Sequence, residues 1–344
     1  MEVNSITSDN VDISILVTFY NQLKYIEQSL TSIISQKTDY SFEVLCGDDG
    51  SQDGTYEELQ KWAKQYPSII HVYRMPREAG RKYEPIIRVS HNRLNLLKNA
   101  KGRYICFLDG DDFYINDNKI QKQIDLLEKN LDCVACGHPF QVYMDDTRQY
   151  TVIQNTMLPS KTIKFGMKMY WSFIWLHADT FVFRNTFNNI ADIINEDIFD
   201  DNLITAYFIK HGSIIYLPDA MVAYRQIGKS SWNSRDDLQK AYVNMRMYYE
   251  AARLFPKDKL YSFFRCFDAW RIIYNNRNTA FTIDPGMIEI EKIPFVHETM
   301  IYHENGLAFK IKYEIKYGII LRMKFFIKIL RKLKFCLYRK VRLV

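Results

Sequence analysis

The chain has 344 residues, 47% hydrophobic and 15% aromatic, with a formal net charge of +6; this excludes a disordered chain and allows a sizeable core with two structural regions. The charge is uneven, because Lys310–Val344 holds twelve Lys/Arg against one acid, Glu314, so this tail carries +11 and the preceding residues −5. No run reaches the ~18 apolar residues of a spanning helix, the N-terminal MEVNSITSDN lacks the basic-then-apolar pattern of a signal peptide, and Cys133-x-x-Cys136 has no second metal-binding pair beside it, so a cytoplasmic protein with reduced, packing cysteines is expected.

The predicted elements alternate. Ile13–Tyr20 reads as a short buried strand and Leu23–Gln36 as a helix. FEVLCGDDGS is a strand running into a turn, and Thr55–Tyr66 is an amphipathic helix stopped by Pro67. IIHVYRM is a strand, Ile86–Ala100 a helix and RYICFLD a strand. This alternation predicts βαβ units and a mostly parallel sheet covered on both faces. Ligands of such sheets bind beyond the carboxyl ends of the strands. Thr18–Asn21, Gly47–Ser51 and Asp109–Asp112 all fall at such ends, so three polar clusters on one edge predict one site. From about Cys133 to Gly228 strands mix with polar turns, and from Asp236 to about Asn276 the pattern is helical and rich in Tyr, Phe and Trp. The expected organisation is a catalytic α/β domain over residues 1–235, a helical extension over 236–318 and a basic tail over 319–344.

Two of the clusters suggest chemistry. In CGDDGSQDGT (Cys46–Thr55) a strand end turns into a helix that Asp53 or Thr55 can cap. A well-made βα turn accounts for these residues; alternatively Asp49 accepts a hydrogen bond from a base edge, such as the N3–H of uracil. Asp109, Asp111 and Asp112 crowd three like charges at a strand end. Carboxylates at i and i+2 can converge on a hard divalent cation, Mg2+ or Mn2+, which shares its oxygen ligands with phosphates. The plainer alternative is a solvated Asp-rich turn before the helix at Lys119–Leu127.

Together, ISILVTFYNQLKYIEQSLTSIISQ, FEVLCGDDGSQDGT and AKGRYICFLDGDD resemble glycosyltransferase family 2, the inverting enzymes of the GT-A fold. The resemblance is strong over roughly Asp12–Asn130 and weaker to Ser234. It departs at Thr18-Phe19, where many members have a proline, and at Gly47, where many have a hydrophobic residue. It implies a Rossmann-like α/β fold with a C-terminal helical extension. It also implies transfer of a sugar from a nucleotide donor, with a UDP-sugar expected, to a hydroxyl of a surface polysaccharide or lipid-linked glycan. Thr18 and Tyr20 would then line the nucleotide pocket and Asp49 would read the base. Asp109 would face the ribose or the metal, Asp111 would hold Mn2+ or Mg2+ on the diphosphate, and Asp112 would support the loop or a metal-bound water. Family members carry an acidic pair at the start of a helix that ends near a glycine. DDNLITAYFIKHG, ending at Gly212, fits that pattern better than Glu196-Asp197. This makes Asp201 the expected general base and Asp200 its neighbour.

VAYRQIGKSSWNS resembles the Tyr-Arg segment that closes many such sites, so Arg225 and Lys229 are cationic candidates for the diphosphate. Arg81 and Lys82 are a second pair; ordinary exposed charge is the alternative for each. Trp171, Trp175 and His177 are candidates for an acceptor-sugar wall, with core packing as the alternative for the tryptophans. A sugar nucleotidyltransferase would carry a Gly-rich phosphate loop after the first strand, and a dehydrogenase G-x-G-x-x-G; VTFYNQLKY has neither. A catalytically inactive nucleotide-sugar-binding module is the rival from another class.

The tail begins at Ile319. At about 100° per residue, Lys324, Lys328, Arg331, Lys332, Arg339 and Arg342 share one face, and Phe326, Ile329, Leu330, Leu333 and Leu337 lie opposite. Such a helix suits an anionic membrane surface, making the protein peripheral at the inner face of the cytoplasmic membrane. Packing on the protein itself is the alternative. Nucleic acid is not an expected partner, because no recognition motif accompanies the charge.

Overall fold

The computed structural model describes residues 11–78, 85–153, 161–166, 176–186, 199–228, 235–254, 269–278, 302 and 306–318. In chain order the strands are β1 (Ile13–Phe19), β2 (Phe42–Asp48), β3 (Ile70–Arg74), β4 (Tyr104–Asp109), β5 (Phe113–Tyr114), β6 (Cys133–Gly137), β7 (Phe140–Met144), β8 (Gln149–Ile153), β9 (Ile163–Phe165), β10 (Val182–Arg184), β11 (Ser213–Tyr216) and β12 (Val222–Gln226). The helices are α1 (Ile26–Ile34), α2 (Thr55–Gln65), α3 (Pro85–Asn99), α4 (Lys119–Lys129), α5 (Asp201–His211), α6 (Asp237–Arg253) and α7 (Leu307–Tyr313).

β1 is buried over its whole length, as a near-continuous apolar run should be when both faces of a parallel sheet are covered. It lies between β2 and β4 and runs parallel to both. β3 extends the parallel part beyond β2. On the other side β10 enters antiparallel between β4 and β6, and the full order is β3-β2-β1-β4-β10-β6-β11-β9. The sheet is therefore mixed, with its parallel half at β3–β4. A second sheet has the order β5-β12-β7-β8. β1 feeds β2 on one side while β4 returns on the other, so the strand order reverses around β1. That is where open α/β sheets leave a crevice at their carboxyl ends.

The helices cover the sheet through apolar stripes. Ile26, Leu30 and Ile33 of α1 and Ile120, Ile124 and Leu127 of α4 join one core with Ile15, Val17, Val44 and Cys106, and α3 packs against β1 and β2. Cys46, Cys106, Cys133 and Cys136 are free and buried. Contacts divide the chain into two compact units. One carries every element from β1 to β12; the other carries α6, the helical residues 269–275 and α7. No helix among the described residues is long and apolar enough to cross a membrane.

Candidate active site

The parallel register of β1 and β4 sets Thr18 beside Asp109 at the carboxyl edge. Thr18 Oγ1 donates to Asp109 Oδ1 at 3.1 Å, and the Arg93 guanidinium donates to the same oxygen at 2.8 Å. Burial works against the Asp109 carboxylate, but Arg93, His177 and Thr18 outweigh it and hold its pKa below the usual range. The first strand ends in Phe19, buried against Gly110, where any side chain would collide with the phenyl ring. That contact accounts for the glycine at position 110. Gly47 is likewise explained by Asn92, whose side-chain amide donates to the Gly47 carbonyl at 2.8 Å and fills the space a Cβ would need.

Beyond Asp109 the acidic loop is braced from beneath by Arg225 of β12. Its backbone N–H donates to Asp112 Oδ1 at 2.7 Å and its Nε to the Asp111 carbonyl at 2.6 Å. The guanidinium also donates to Asp145 Oδ1 at 2.8 Å and to Gln28 Oε1 at 2.6 Å. Arg225 is buried and engaged by its own chain, so it acts as a strut under the loop rather than as a free cation above it.

A third acid, not singled out from the sequence, completes the cluster. The short 3-10 turn Ala178–Thr180 is held by Thr180 Oγ1 donating to the His177 carbonyl at 2.7 Å. The turn carries Asp179 into the interior, where its carboxylate meets the His177 ring, with Nδ1 3.6 Å from Oδ2, and the Asp112 carboxyl. Asp109, His177 and Asp179 offer ligand atoms that all lie within 4.8 Å of one another. Burial, then Asp109, pushes Asp111 up to about 7. Burial, then Asp179 and Asp111, pushes Asp112 well above the carboxylate range. Asp179 is raised by burial and then by Asp109. Burial opposes a charge on His177, but Asp201, Asp179 and Asp109 outweigh it and raise its pKa. The His177 ring also packs edge-on against Phe140 and Tyr224, with centroids 5.4 and 5.2 Å away.

The acidic pair at the start of α5 divides its work. Asp200 is the N-cap and accepts from the Leu203 N–H at 3.0 Å. Asp201 instead accepts the Ala178 N–H at 3.1 Å and lies 4.0 Å from Arg93. The turn that supplies Asp179 therefore also orients Asp201, and Arg93 lies between Asp109 and Asp201.

The other end of the edge is built differently. Asp49 forms ion pairs with both Arg77 and Arg88, and Arg77 Nε donates to the Asp49 carbonyl at 2.6 Å. The Arg77 guanidinium lies 3.9 Å from the ring centroid of Tyr20, which is exposed. Asn21 staples the two loops: its N–H donates to Ser51 Oγ, and its Oδ1 accepts from the Gln52 N–H, both at 2.9 Å. Asp53 accepts from the Thr55 N–H at 3.0 Å at the start of α2.

Thr18, Asp109, Asp111, Asp112, His177 and Asp201 thus share one site, with Tyr20 and Asp49 at its neighbouring end. Arg81, Lys82, Trp171, Trp175, Lys229, the Glu196-Asp197 pair and the tail from Ile319 lie outside the described residues. Arg77, Arg88, Arg93 and Asp179 were missed. Arg93 left a signal: it sits three residues after Ser90 and four before Leu97, on the face α3 buries. Asp179 left only its spacing of two from His177. Oxygen donors with one imidazole, converging within 4.8 Å, and an excess of acid over cation among the described residues together fit a hard divalent ion.

A family model described as Glycosyl transferase family 2 matches residues 14–187, just over half of the chain. An uncharacterized protein of Mycobacterium tuberculosis is 24% identical over 246 residues, covering 69% of this chain and 63% of the relative. TuaG of Bacillus subtilis, named as a glycosyltransferase of teichuronic acid biosynthesis, is 31% identical over 131 residues, covering 38% of this chain and 46% of the relative. The chain thus spans less than two thirds of the length of these relatives. Among solved structures, S. aureus TarS 1–349 in complex with UDP-GlcNAc superposes with a TM-score of 0.58 at 19% identity, covering 85% of this chain and 84% of TarS 1–349. At that identity the likeness is one of fold, and the fold is GT-A.

Proposed function

The chain belongs to glycosyl transferase family 2, and from that premise we propose that it is a divalent-metal-dependent, inverting glycosyltransferase using a nucleotide sugar, with a UDP-sugar as donor. The observation that carries this reading is the carboxylate cluster at the carboxyl ends of β1 and β4, where Asp109, His177 and Asp179 offer ligand atoms within 4.8 Å of one another. Asp109, Asp111, Asp179 and His177 are the groups that would hold Mn2+ or Mg2+, with Asp112 supporting the loop. When bound there, the ion supplies charge stabilisation for the departing nucleoside diphosphate.

The chain's own residues do the rest. Tyr20, Arg77 and Asp49 hold the base, with the Asp49 carboxylate accepting from a base-edge N–H. Thr18 and Arg93 fix Asp109 in the orientation that faces the donor. Asp201, oriented by the Ala178 N–H, takes the proton of the acceptor hydroxyl as its oxygen bonds to the anomeric carbon. The bond from that carbon to the diphosphate breaks, and its electron pair leaves with the nucleotide. Asp200 serves this step by capping α5 and so fixing the backbone that carries Asp201. Arg81, Lys82 and Lys229 stay as cationic candidates for the diphosphate.

We assign the acceptor to a surface polysaccharide or a lipid-linked glycan. The similarity to TuaG supports this class, and the basic segment 319–344 supports work at the inner face of an anionic membrane. The catalytic region is taken as residues 1–235, followed by a helical extension over 236–318. The test is release of UDP from UDP-sugars with Mn2+, with Mg2+ and with EDTA. Metal-dependent release that fails in Asp111→Asn and Asp179→Asn supports the reading; equal release in EDTA refutes the metal role.

A further inference from the structure

α7 and the π-helical turn that follows it, Glu314–Gly318, show two opposed faces. One face is locked. Tyr313 is buried and stacks on Tyr274 with ring centroids 6.0 Å apart. Glu314 accepts from Arg277 Nε at 2.8 Å, from the Tyr302 hydroxyl at 3.1 Å and from the Tyr274 hydroxyl. Arg277 in turn lies 4.1 Å from the Tyr274 ring centroid. This clasp fixes the rotation of the helix about its axis.

The other face is turned to solvent. Leu307, Ile311 and Ile315, spaced by four, are 75%, 52% and 66% exposed. Spacing by four puts them in one row. Beside them Ala308, Lys312 and Lys316 are exposed as well. The only acid from Lys310 to Val344 is Glu314, and the clasp turns it inward. Among the described residues 306–318 the outward face is therefore apolar and positive, with no negative charge. The sequence then continues from Ile319 with nine more Lys/Arg and no acid.

We propose that the Leu307–Ile311–Ile315 row, flanked by Lys312 and Lys316, seats on an anionic lipid bilayer as the rigid first part of a basic docking segment. The inference rests on the membrane reading of residues 319–344 given above and extends it to a face whose orientation the fold fixes. A row of branched aliphatics with lysines alongside matches the interface between acyl chains and anionic headgroups. A second copy of the chain fits less well, because a two-fold contact through this face would bring Lys312 and Lys316 of both copies together.

The test uses the full chain and vesicles of phosphatidylcholine, with or without one-quarter phosphatidylglycerol, in co-sedimentation at low and high salt. The wild type is expected on anionic vesicles and absent from neutral ones. Leu307→Gln/Ile311→Gln/Ile315→Gln is expected to weaken binding at least ~10-fold and to make what is left strongly salt-sensitive. Lys312→Gln/Lys316→Gln is expected to weaken it roughly fivefold per lysine removed. Release of UDP from the donor should be unchanged in both variants, which separates this surface from the catalytic reading. If the triple variant binds as the wild type does, residues 319–344 dock alone and the role of the row is refuted. If the wild type ignores anionic vesicles, both the row and the tail reading fall. If sedimentation velocity shows a dimer that the triple variant abolishes, and no vesicle binding, the row is covered by a second copy and the proposal is overturned.

Discussion

Two acidic clusters share the carboxyl edge of the sheet, and they differ in how their charge is met. At the β2 end Asp49 is buried but paired with Arg77 and Arg88. At the β4 end Asp111, Asp112 and Asp179 face one another, and Arg93 is shared between Asp109 and Asp201. Arg225, a further cation nearby, is committed to Asp145 and to the loop backbone, and the buried Lys119 interacts with Asp179. Among the described residues, the first cluster is matched one carboxylate to two guanidinium groups, whereas in the second the acids outnumber the cations. Crowded buried carboxylates are costly, and the proposed function gives them a charge that arrives with the ligand.

The largest effect that would sharpen this contrast is catalytic. Asp201→Asn should slow sugar transfer by about 10²–10⁴-fold, the usual range for losing a general base, while UDP binding with Mn2+ stays unchanged. Transfer kinetics beside calorimetry will show it; full transfer activity in Asp201→Asn would move the base elsewhere.

Next, Asp179→Asn and Asp111→Asn should each abolish metal-dependent UDP binding yet raise the metal-free melting temperature, by a few degrees for about 1 kcal/mol of relieved repulsion. Loss of binding with a lowered melting temperature would mean the acids are structural instead.

The pH dependence has a definite sign. Asp111 is raised from 3.8 to about 7 in the folded protein. The folded state therefore binds more protons than the unfolded state between those values. Its contribution to stability is full below about pH 4 and is lost as pH rises to about 7. The metal-free wild type should lose stability over that window relative to Asp111→Asn, and Mn2+ should restore it. Melts across pH with and without Mn2+ measure this; parallel curves for the two proteins would break the argument.

The smallest effect belongs to the balanced end. Asp49→Ala removes one charged hydrogen-bond acceptor, so nucleotide affinity should fall ~10–100-fold with the metal requirement intact. Discrimination between uracil and other bases should relax as well. An equal loss for every base would point to a collapsed turn.

The same contrast explains what was readable in the sequence. β1, β2 and β4 announce themselves as apolar runs, each ending in a polar cluster, so Thr18, Asp49 and Asp109–Asp112 fall on one edge once the strands are parallel. α3 and α4 follow from helical periodicity. The antiparallel entry of β10 was not readable, because Val182–Arg184 is too short to show a period and its place depends on β4 and β6. Asp179 was hidden for a related reason: a three-residue 3-10 turn has no pattern of its own. Arg77 and Arg88 flank a segment without regular periodicity, and only the folded chain brings both to Asp49. Arg225 was legible as a cation near the site, but its role as a strut depends on Asp145 and Gln28, which are distant in sequence.

The most direct measurement of the central claim is calorimetry of UDP binding near pH 6.5, with Mn2+ and with EDTA, in two buffers of different ionisation enthalpy. The acid-rich cluster predicts no binding in EDTA, and binding with Mn2+ that releases protons as Asp111 and its neighbours give theirs up. Equal UDP binding in EDTA, or metal-dependent binding with no proton release, would contradict it.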